Sequence, residues 1–426
     1  MCAIAGLIGQ APDQARETMP RMLAAIRHRG PDDEGIWLEG GVCLGHRRLS
    51  IIDTSPAGHQ PMPSACGRYV LTMNGEIYNF RELRADVEAA GHIAWRGHSD
   101  IEVFVEFVAR FGVEAALRRA SGMFAFGLWD RHTRTLYLAR DRLGEKPLYY
   151  CLLGQGLAFA SELTALERTQ GLSSELSPNA LEAYFRLGYV PAPLSVLAAV
   201  SKLEPGTVLT WREGGPPALS RYWRLDEAVV AGQGDRLVDG PGAVDRLDAV
   251  LRQAVARQMI SDVPLGAFLS GGIDSSLVTA IMQAQSSAPV KTFTLGFDSV
   301  EFNEAEHARA VAGHIGTDHT EYRVTVADAQ ALAPSMGEIY DEPFADSSQI
   351  PTFMISRLAR SEVKVCLTGD GGDEMFGGYV RYPGVIRMWN AMRRLPGRSL
   401  AGAALEALPL PVIEGAMGWL DPLARR

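Results

Sequence analysis

A cysteine stands at the second position of the chain, directly before the apolar run Ala3-Ile-Ala-Gly-Leu-Ile. If Met1 is removed, the thiol of Cys2 lies beside its own α-amino group. The pKa of a free α-amino group is about 7.7 to 8.0, so the amine can accept the proton of the thiol. The first residues of a chain are usually only frayed. Here the following apolar run favours a nucleophile whose base is its own amine.

Two glycine-rich loops in the second half of the chain each follow an apolar run. The first loop is Ser270-Gly-Gly-Ile-Asp-Ser-Ser and the second is Thr368-Gly-Asp-Gly-Gly-Asp-Glu. Glycines let the backbone approach a ligand closely, and N–H groups at a helix N-terminus bind phosphate oxygens. Mg²⁺ prefers one or two carboxylates together with substrate phosphates; Asp274 supplies one in the first loop, and the second loop contains three carboxylates. The loops therefore predict a site for a magnesium nucleotide, with two unrelated polar turns as the alternative.

The first half of the chain, up to Trp211, reads as short β-branched or aromatic runs that are broken by turns. Apolar residues at helical spacing interrupt these runs, and Ser99-Asp100 suits the start of one of these helices. The runs that predict strands include Tyr69 to Met73, Ala125 to Trp129 and Thr135 to Ala139, and the predicted helices are Arg81 to Ala90 and Ile101 to Phe111. We expect an α+β domain over residues 1–211, with layered antiparallel sheets and flanking helices.

Strand and helix signals alternate in the second half of the chain, from Val244 onward. This alternation predicts an α/β domain, a doubly wound parallel sheet with helices on both faces. Ligands of such sheets bind at the carboxyl ends of the strands, where both glycine loops would lie. The stretch 212–243 is rich in glycine, proline and charge, and we interpret it as a linker before a second domain over residues 244–426.

The composition argues against several classes of protein. The 426 residues carry 41 Lys and Arg against 50 Asp and Glu, a net charge of −9, and contain no basic block for nucleic-acid phosphates. No run approaches the roughly 18 apolar residues of a membrane span, and the start of the chain lacks the basic region of a signal peptide. The five cysteines form no CxxC pair, and no lysine follows a glycine as in a Walker A loop. We expect a cytoplasmic protein without a nucleic-acid or membrane partner.

The first glycine loop resembles the pyrophosphatase loop of the adenine-nucleotide hydrolase superfamily, whose members adenylate a substrate and release pyrophosphate. Together with the second loop and Phe376-Gly-Gly-Tyr, it is similar to the synthetase domain of glutamine-hydrolysing asparagine synthetases. The resemblance implies ATP as a substrate, Mg²⁺ held by Asp274 and Asp373, and a catalytic role for Asp370 in forming the acyl-adenylate. The residues that it places around ATP are Leu269, Ser270, Gly271, Gly272, Asp274, Ser275, Ser276, Leu295, Thr368 and Gly369.

The first half resembles class II glutamine amidotransferases in a dense set of motifs. These are Arg27-His-Arg-Gly-Pro-Asp-Asp, Gly45-His-Arg-Arg-Leu-Ser-Ile-Ile-Asp, Gly58-His-Gln-Pro-Met, Asn74-Gly-Glu-Ile-Tyr-Asn and Ser99-Asp100. By this resemblance Cys2 attacks the amide of glutamine, and an oxyanion hole comes from the side chain of Asn74 and the backbone of Gly75. Donors aimed at a tetrahedral oxyanion commonly contribute about 2.7 to 4 kcal/mol each.

Four residues match those that hold the glutamine substrate in that family, namely Arg48, Asn74, Glu76 and Asp100. Arg48 would bind the α-carboxylate, which suits a planar guanidinium that donates two hydrogen bonds. Glu76 and Asp100 would bind the ammonium group. Taken singly, these residues have simpler explanations: a surface salt bridge for Arg48, a solvated turn for Glu76 and a packed or capping role for His28. Their occurrence together and in this order favours the amidotransferase interpretation.

The resemblance as a whole implies a two-site enzyme that makes asparagine and forms a homodimer. Glutamine becomes glutamate and ammonia at Cys2, and the ammonia reacts at the second site with aspartate that ATP has adenylated. Two further stretches are family-like, and we expect them to pack the first domain against the second. They are Asp141-Arg-Leu-Gly-Glu-Lys-Pro-Leu-Tyr-Tyr and Ala160-Ser-Glu-Leu-Thr-Ala-Leu.

Three features depart from the pattern of the family. Asp370 stands where well-known members carry glutamate, and Ala3 replaces a common glycine. Motifs that members usually carry further on, including a Pro-Phe-Leu-Asp run and a lysine that meets pyrophosphate, do not occur after Tyr382. We expect from this that the synthetase domain is truncated.

Other functions stay open from the sequence. An amidotransferase of the same architecture would amidate another carboxylate, such as that of a sugar acid or a peptide. A truncated, non-catalytic homologue would bind nucleotide or a partner without turnover. The presence of Cys2, Arg48, Asn74, Glu76 and Asp100 together argues against it, because an inactive protein need not keep all five glutaminase residues. A β-lactam-forming synthetase is disfavoured by Cys2, because such relatives need no glutaminase.

Overall fold

The computed structural model of the chain describes residues 1–238, 240–297 and 304–394. The chain divides into two compact units, Met1–Thr368 and Gly369–Arg426. The first unit holds both the antiparallel sheets of the amino-terminal part and the parallel sheet that follows them.

The amino-terminal part is built from short strands and a few helices. Its strands are β1 (Ala3–Ile8), β2 (Asp33–Glu39), β3 (Val42–Arg48), β4 (Met62–Pro63), β5 (Tyr69–Ile77), β6 (Gly122–Asp130), β7 (Thr135–Arg140), β8 (Tyr149–Leu153), β9 (Gly156–Ala160), β10 (Ser201–Lys202), β11 (Thr207–Arg212) and β12 (Ala218–Arg221). Its helices are α1 (Pro12–Ala25), α2 (Phe80–Ala89), α3 (Asp100–Phe111), α4 (Val113–Arg119), α5 (Leu163–Leu166), α6 (Pro178–Leu187) and α7 (Leu225–Gly234), with a 3₁₀ turn at Pro56–Gly58.

These strands form two antiparallel sheets, in the orders β10-β8-β9-β1-β3-β2 and β12-β11-β7-β6-β5-β4. The sheets pack face to face, and the aromatic ring of Phe159 on β9 lies between them. A Cβ atom on Gly6 would lie 2.0 Å from this ring, and one on Gly127 of the facing sheet would lie 2.4 Å from it. Only glycine fits at these two positions, and the ring fills the space that they leave.

Helices cover the outer faces of both sheets. Helix α1 packs its buried side chains, such as Met19 and Leu23, on the sheet that contains β1. Helices α2 and α3 cover the other sheet, and Phe104 of α3 contacts the rings of Phe124 and Phe126 at centroid distances of 6.1 and 5.4 Å. The result is four layers, helix, sheet, sheet and helix.

The following part of the chain alternates strands and helices. In chain order the elements are α8 (Pro241–Gln258), β13 (Leu265–Phe268), α9 (Ile273–Gln285), β14 (Lys291–Phe297), α10 (Ala305–Ile315), β15 (Asp318–Val324), α11 (Val326–Leu332), a 3₁₀ turn (Ala333–Ser335), α12 (Met336–Ile339), α13 (Gln349–Ala359) and β16 (Val365–Leu367). The second unit contributes α14 (Gly372–Phe376) and α15 (Arg381–Arg393).

The four strands β13 to β16 form one parallel sheet in the order β15-β14-β13-β16. The chain winds outward from β13 to β15 and then returns to the other side of β13. Neighbouring residues of β13 face opposite layers: Ala267 packs with α8 and α9, whereas Phe268 packs with α13. The sheet is therefore doubly wound, with its switch point between β13 and β16, where ligands of such folds bind.

Both predicted fold classes are confirmed, the α+β sandwich and the α/β parallel sheet. The domain boundaries stay a prediction. The stretch expected to be a linker, 212–243, holds β12, which pairs with β11, and also helix α7. Among the described residues, no helix is both long enough and apolar enough to cross a membrane.

Truncation of Phe159 tests the packing between the two sheets. Phe159→Ala would leave a cavity beside Gly6 and Gly127, and we expect the free energy of unfolding to fall by about 3 to 5 kcal/mol. Chemical denaturation measures this change. On the neighbouring strand Leu152 is 54% exposed, so Leu152→Ala is the control, with an expected change within about 0.5 kcal/mol. Equal, small effects of both substitutions would contradict the packing.

Candidate functional site

Cys2 lies directly before β1, which is paired on both sides, with β3 and with β9. The backbone N–H of Leu49 donates to the Cys2 sulfur at 3.3 Å, and the thiol lies 3.5 Å from the Leu49 carbonyl oxygen. Burial raises the pKa of the Cys2 thiol. The thiol therefore stays protonated at neutral pH and needs a base to become a nucleophile.

The α-amino group of the chain lies beside this thiol. In the chain with Met1 present, this group donates a hydrogen bond to the carbonyl oxygen of Arg29 at 3.2 Å. Although the Met1 residue is half-exposed, desolvation of the amino group lowers its pKa to about 6. An amine in this environment is largely neutral at pH 7, which is the form that accepts a proton.

Asn74 and Gly75 lie on β5, in the sheet that faces β1. Asn74 is 1% exposed, and its amide nitrogen Nδ2 has no hydrogen-bond partner among the described residues. An unsatisfied buried donor destabilises a fold by about 1 to 3 kcal/mol, so this one indicates a place for a ligand oxygen. Gly75 has φ +155°, and a Cβ there would lie 2.2 Å from the Met123 carbonyl oxygen. Only glycine fits beside Asn74.

Arg48 is the last residue of β3, and its guanidinium is almost fully buried. It donates hydrogen bonds to the carbonyl oxygen of Asp53 and, at 3.0 Å, to that of Ser55. Asp53 is fully buried and has φ +54°, an uncommon conformation for a residue other than glycine. Arg48 is thus fixed by a tight turn of the backbone, and the simpler explanation of a surface salt bridge does not apply.

Glu76 and Asp100 form a buried pair of carboxyl groups. Asp100 begins α3, is preceded by the N-cap Ser99, and accepts a hydrogen bond from the Ile77 N–H at 2.8 Å. Glu76 Oε2 is buried and has no partner among the described residues. Burial and the neighbouring carboxylate raise the pKa of Glu76, and burial raises that of Asp100. A cationic ligand would relieve this repulsion, so the pair suits an ammonium group.

One cavity brings most of these groups together. It is lined by Cys2, Arg48, Leu49, Ile51, Ile52, Gly58, Gln60, Gly75, Glu76, Ser99, Asp100 and Ile101. A guanidinium and a pair of acids stand around a thiol, an arrangement that matches the opposite charges of an amino acid. Its side chain could then reach the sulfur and the free donor of Asn74.

Two cations near the nucleophile were not assigned roles from the sequence. Arg29 donates to the carbonyl oxygen of Cys2 at 3.1 Å and to Glu162 Oε1 at 2.8 Å. Lys146 is 5% exposed, and its ammonium donates to the sulfur of Met1 at 3.0 Å. Burial lowers the pKa of Lys146. Both residues lie in the quoted motifs, but only the fold shows that Arg29 contacts Cys2 and that Lys146 contacts Met1.

The two stretches expected to join the halves of the chain do contact the second half. The Leu163 N–H donates to Asp341 Oδ2 at 2.6 Å, and the Tyr149 hydroxyl donates to Glu342 Oε2 at 3.3 Å. Glu342 also forms an ion pair with Lys202. His28 is largely exposed and pairs with Glu162 at 3.1 Å.

The first glycine loop connects the carboxyl end of β13 to helix α9. Gly271 has φ +83°, and a Cβ there would lie 2.7 Å from the Ala308 backbone nitrogen. Helix α9 has no side-chain cap, and its Ser276 hydroxyl is buried with no partner among the described residues. These donors fit a phosphate group at the helix N-terminus.

The other predicted ATP residues of the first unit lie at the same edge of the sheet. Leu269 is buried at the end of β13, Leu295 lies near the end of the adjacent β14, and Thr368 follows β16 on the other side. The structure therefore brings together the following residues around the switch point: Leu269, Ser270, Gly271, Gly272, Asp274, Ser275, Ser276, Leu295 and Thr368.

Gly369, Asp370 and Asp373 belong to the second unit. The Gly369 carbonyl oxygen accepts a hydrogen bond from the Gly372 N–H at 3.2 Å, and Asp370 is exposed. Asp373 lies in the first turn of α14. The described part of the chain contains no cluster of three or more His, Cys, Asp or Glu that could hold a metal ion. Carboxylate oxygens such as those of Asp274 and Asp373 are ligands that Mg²⁺ accepts, and their role stays a prediction.

Family models match nearly the whole chain. Residues 1–223 match the family described as a glutamine amidotransferase domain, and residues 246–420 match asparagine synthase. A protein of Methanocaldococcus jannaschii with the provisional name of glutamine-hydrolysing asparagine synthetase 2 is 34% identical over 418 residues, which cover 93% of this chain and 79% of that protein.

Two further relatives are longer than this chain. A protein of Mycobacterium bovis, provisionally named a glutamine-hydrolysing asparagine synthetase, is 37% identical over 426 residues, covering 96% of this chain and 64% of its own length. Glutamine-hydrolysing asparagine synthetase 1 of Bacillus subtilis is 36% identical over 387 residues, which cover 90% of this chain and 59% of that protein. The chain thus spans less than two thirds of the length of these two relatives.

The buried acid pair makes a prediction about stability and pH. Because folding raises the pKa of Glu76 above its ordinary value of 4.5, ionisation of Glu76 opposes folding, and this destabilisation grows as the pH rises above that value. Glu76→Gln should therefore raise the free energy of unfolding at pH 8 by about 1 kcal/mol, the order of one buried hydrogen bond. The gain should shrink at pH 5.

Denaturation of both proteins at the two pH values measures this difference. Glu114 on α4 is exposed and pairs with Arg118, so Glu114→Gln is the matched control and should show no such pH-dependent gain. If the Glu76→Gln protein is less stable than the unchanged chain at pH 8, ionisation of Glu76 beside Asp100 does not destabilise the fold, and the prediction is wrong.

Proposed function

Because the chain belongs to the family of glutamine-hydrolysing asparagine synthetases, we propose that it uses glutamine and ATP to convert aspartate to asparagine. The observation that carries the proposal is the cavity around Cys2, where a buried thiol, a guanidinium and a pair of acids meet. Asn74, whose amide nitrogen has no partner among the described residues, directly precedes Gly75 of the cavity lining. Cytoplasmic location remains an expectation from the composition, and a homodimer remains one from the resemblance.

Glutamine binding follows from the charges of the cavity. The Arg48 guanidinium pairs with the α-carboxylate of glutamine, and Glu76 with Asp100 accepts hydrogen bonds from its α-ammonium group. Ammonium binding allows both carboxyl groups to ionise, because it removes the repulsion that raises the pKa of Glu76. The side-chain amide then extends toward Cys2.

Hydrolysis uses the amine that removal of Met1 would create on Cys2. This amine takes the thiol proton, and the sulfur attacks the amide carbon. The Nδ2 group of Asn74 and the N–H of Gly75 donate to the oxyanion that forms. The amine then gives its proton to the leaving nitrogen, the C–N bond of the tetrahedral intermediate breaks, and ammonia departs, leaving a thioester on Cys2. Water hydrolyses the thioester to glutamate and restores the thiol.

The second reaction activates the acceptor at the switch point of the parallel sheet. An oxygen of the aspartate side-chain carboxylate attacks the α-phosphorus of ATP, and pyrophosphate leaves. Ammonia attacks the adenylated carbonyl carbon, which gives asparagine and AMP. The loop from Ser270 to Ser276 holds the phosphates through backbone and hydroxyl donors, and Asp370 assists adenylation. Asp274 and Asp373 are the carboxylates that would hold Mg²⁺, which supplies positive charge to the phosphates when bound.

A second cavity supports the passage of ammonia from one half to the other. It is lined by residues of both halves: Met1, His28, Arg29, Pro31, Leu49, Phe268, Phe353, Ser356, Arg357, Ala359, Arg360, Val363, Lys364, Val365 and Cys366. Leu49 borders both this cavity and the one around Cys2.

Product analysis tests the proposal. The chain is incubated with glutamine, Mg-ATP and aspartate, and glutamate, pyrophosphate and asparagine are measured together. We expect all three products from the unchanged chain and no glutamate from Cys2→Ala, because the thiol is the nucleophile. Free ammonia should restore asparagine synthesis to Cys2→Ala, since the second site does not use the thiol.

The remaining outcomes separate the alternatives. Glutamate without pyrophosphate would contradict aspartate as acceptor, and pyrophosphate that appears only with a sugar acid or a peptide would identify another amidotransferase. Absence of all products at saturating substrates would favour a non-catalytic homologue.

The oxyanion role of Asn74 makes a separate prediction. Asn74→Ala removes one donor from the transition state, and we expect kcat for glutamine hydrolysis to fall about 100- to 1000-fold with little change in KM. Asn79 is the matched control, because it is also buried but both ends of its amide are bonded, to Arg119 and to Ser121. Asn79→Ala should lower the melting temperature and leave kcat nearly unchanged. A drop in kcat of equal size for both variants would argue against the oxyanion role.

A further inference from the structure

A residue from the second half of the chain touches the backbone that holds Arg48. The Asp262 N–H donates to the carbonyl oxygen of Ile51 at 2.9 Å, and Asp262 Oδ2 accepts a hydrogen bond from the Asp53 N–H at 2.7 Å. Asp262 lies just before β13, the strand that ends at the first glycine loop. The contact therefore joins the synthetase half to a turn of the glutaminase half.

The Asp53 turn depends on these hydrogen bonds. Asp53 is fully buried at φ +54°, and its carboxylate accepts hydrogen bonds from the N–H groups of Ser55 and His98 at 3.2 and 2.8 Å. Its carbonyl oxygen accepts one from Arg48. If the Asp53 N–H loses its acceptor, the turn can relax, and the carbonyl that orients Arg48 moves with it.

Asp262 also contacts the segment that leads into helix α3. Its Oδ2 lies 2.8 Å from His98 Nε2. His98 Nδ1 lies 3.6 Å from Asp53, so the imidazole bridges the two carboxylates. His98 is separated from Asp100 only by the N-cap Ser99. One carboxylate thus supports the turn of Arg48 and the start of the helix that carries Asp100.

We propose that Asp262 is a positioning residue for glutamine, supplied by the synthetase half, which holds Arg48 and Asp100 in their binding geometry. The proposal rests on the proposed function, since it assumes that Arg48 and Asp100 bind glutamine. Asp262 does not line the cavity and acts only through Asp53 and His98. The segment that leads into the nucleotide loop therefore also shapes the glutamine site.

Alkylation of Cys2 tests this role through glutamine binding and does not depend on the rate of the reaction. The full chain is treated with iodoacetamide at increasing glutamine concentrations, and mass spectrometry follows the Cys2 peptide apart from the other cysteines. We expect Asp262→Ala to raise the half-protecting glutamine concentration about fivefold, the effect of one lost hydrogen bond. Alkylation without glutamine should keep its rate, because Asp262 does not contact the sulfur. In hydrolysis, KM should rise while kcat changes little.

The controls separate the possible causes. Asp248 is exposed and pairs with Arg252 on α8. In the Asp248→Ala variant, glutamine should therefore protect Cys2 at the same concentration as in the unchanged chain. If Asp262→Ala does not fold, Asp262→Asn gives the same readout, with a smaller rise because one acceptor oxygen remains. If both Asp262 variants are half-protected at the same glutamine concentration as the unchanged chain, the positioning role is wrong. Lack of glutamine protection in the unchanged chain overturns the proposed function instead.

Discussion

The burial of β1 in the middle of a sheet is the constraint on which the rest of the site depends. The start of a chain normally frays, but the whole of this strand is buried and paired with β3 and β9. In that register Ala3 lies opposite Arg47, so that Cys2 is held next to Arg48 and Leu49. Asn74 and Glu76 lie on β5 of the facing sheet and complete the site around Cys2.

Polar groups that the fold leaves unsatisfied mark the places where a substrate completes the structure. The amide of Asn74 lacks an acceptor among the described residues, and the carboxyl of Glu76 shares a buried space with Asp100. Neither arrangement favours stability, because buried polar groups are normally paired. The second site also contains unsatisfied groups: the Ser276 hydroxyl has no partner among the described residues, and the N-terminus of α9 has no side-chain cap. Glutamine in one case and phosphate in the other would supply the missing partners.

Local patterns predicted much of this arrangement, and long-range contacts explain what they missed. Ser99 was predicted as a cap and caps α3, and the apolar runs predicted β5, β6 and β7 within a few residues. These features depend on neighbours in the sequence. The pairing of β12 with β11 inside a glycine- and proline-rich stretch depends on the rest of the sheet. Likewise, the contacts of Arg29, Lys146 and Asp262 join residues far apart in the chain, and no local pattern reveals them.

Covalent capture of the nucleophile tests the central claim most directly, namely that Cys2, freed as the terminal residue, attacks the side-chain carbon of glutamine. The measurement is peptide mass spectrometry after incubation with 6-diazo-5-oxo-L-norleucine, an electrophilic analogue of glutamine. The account predicts one adduct, prevented by excess glutamine, on a peptide that begins at Cys2. An adduct on the exposed Cys66, or a labelled peptide that still begins at Met1, would contradict it.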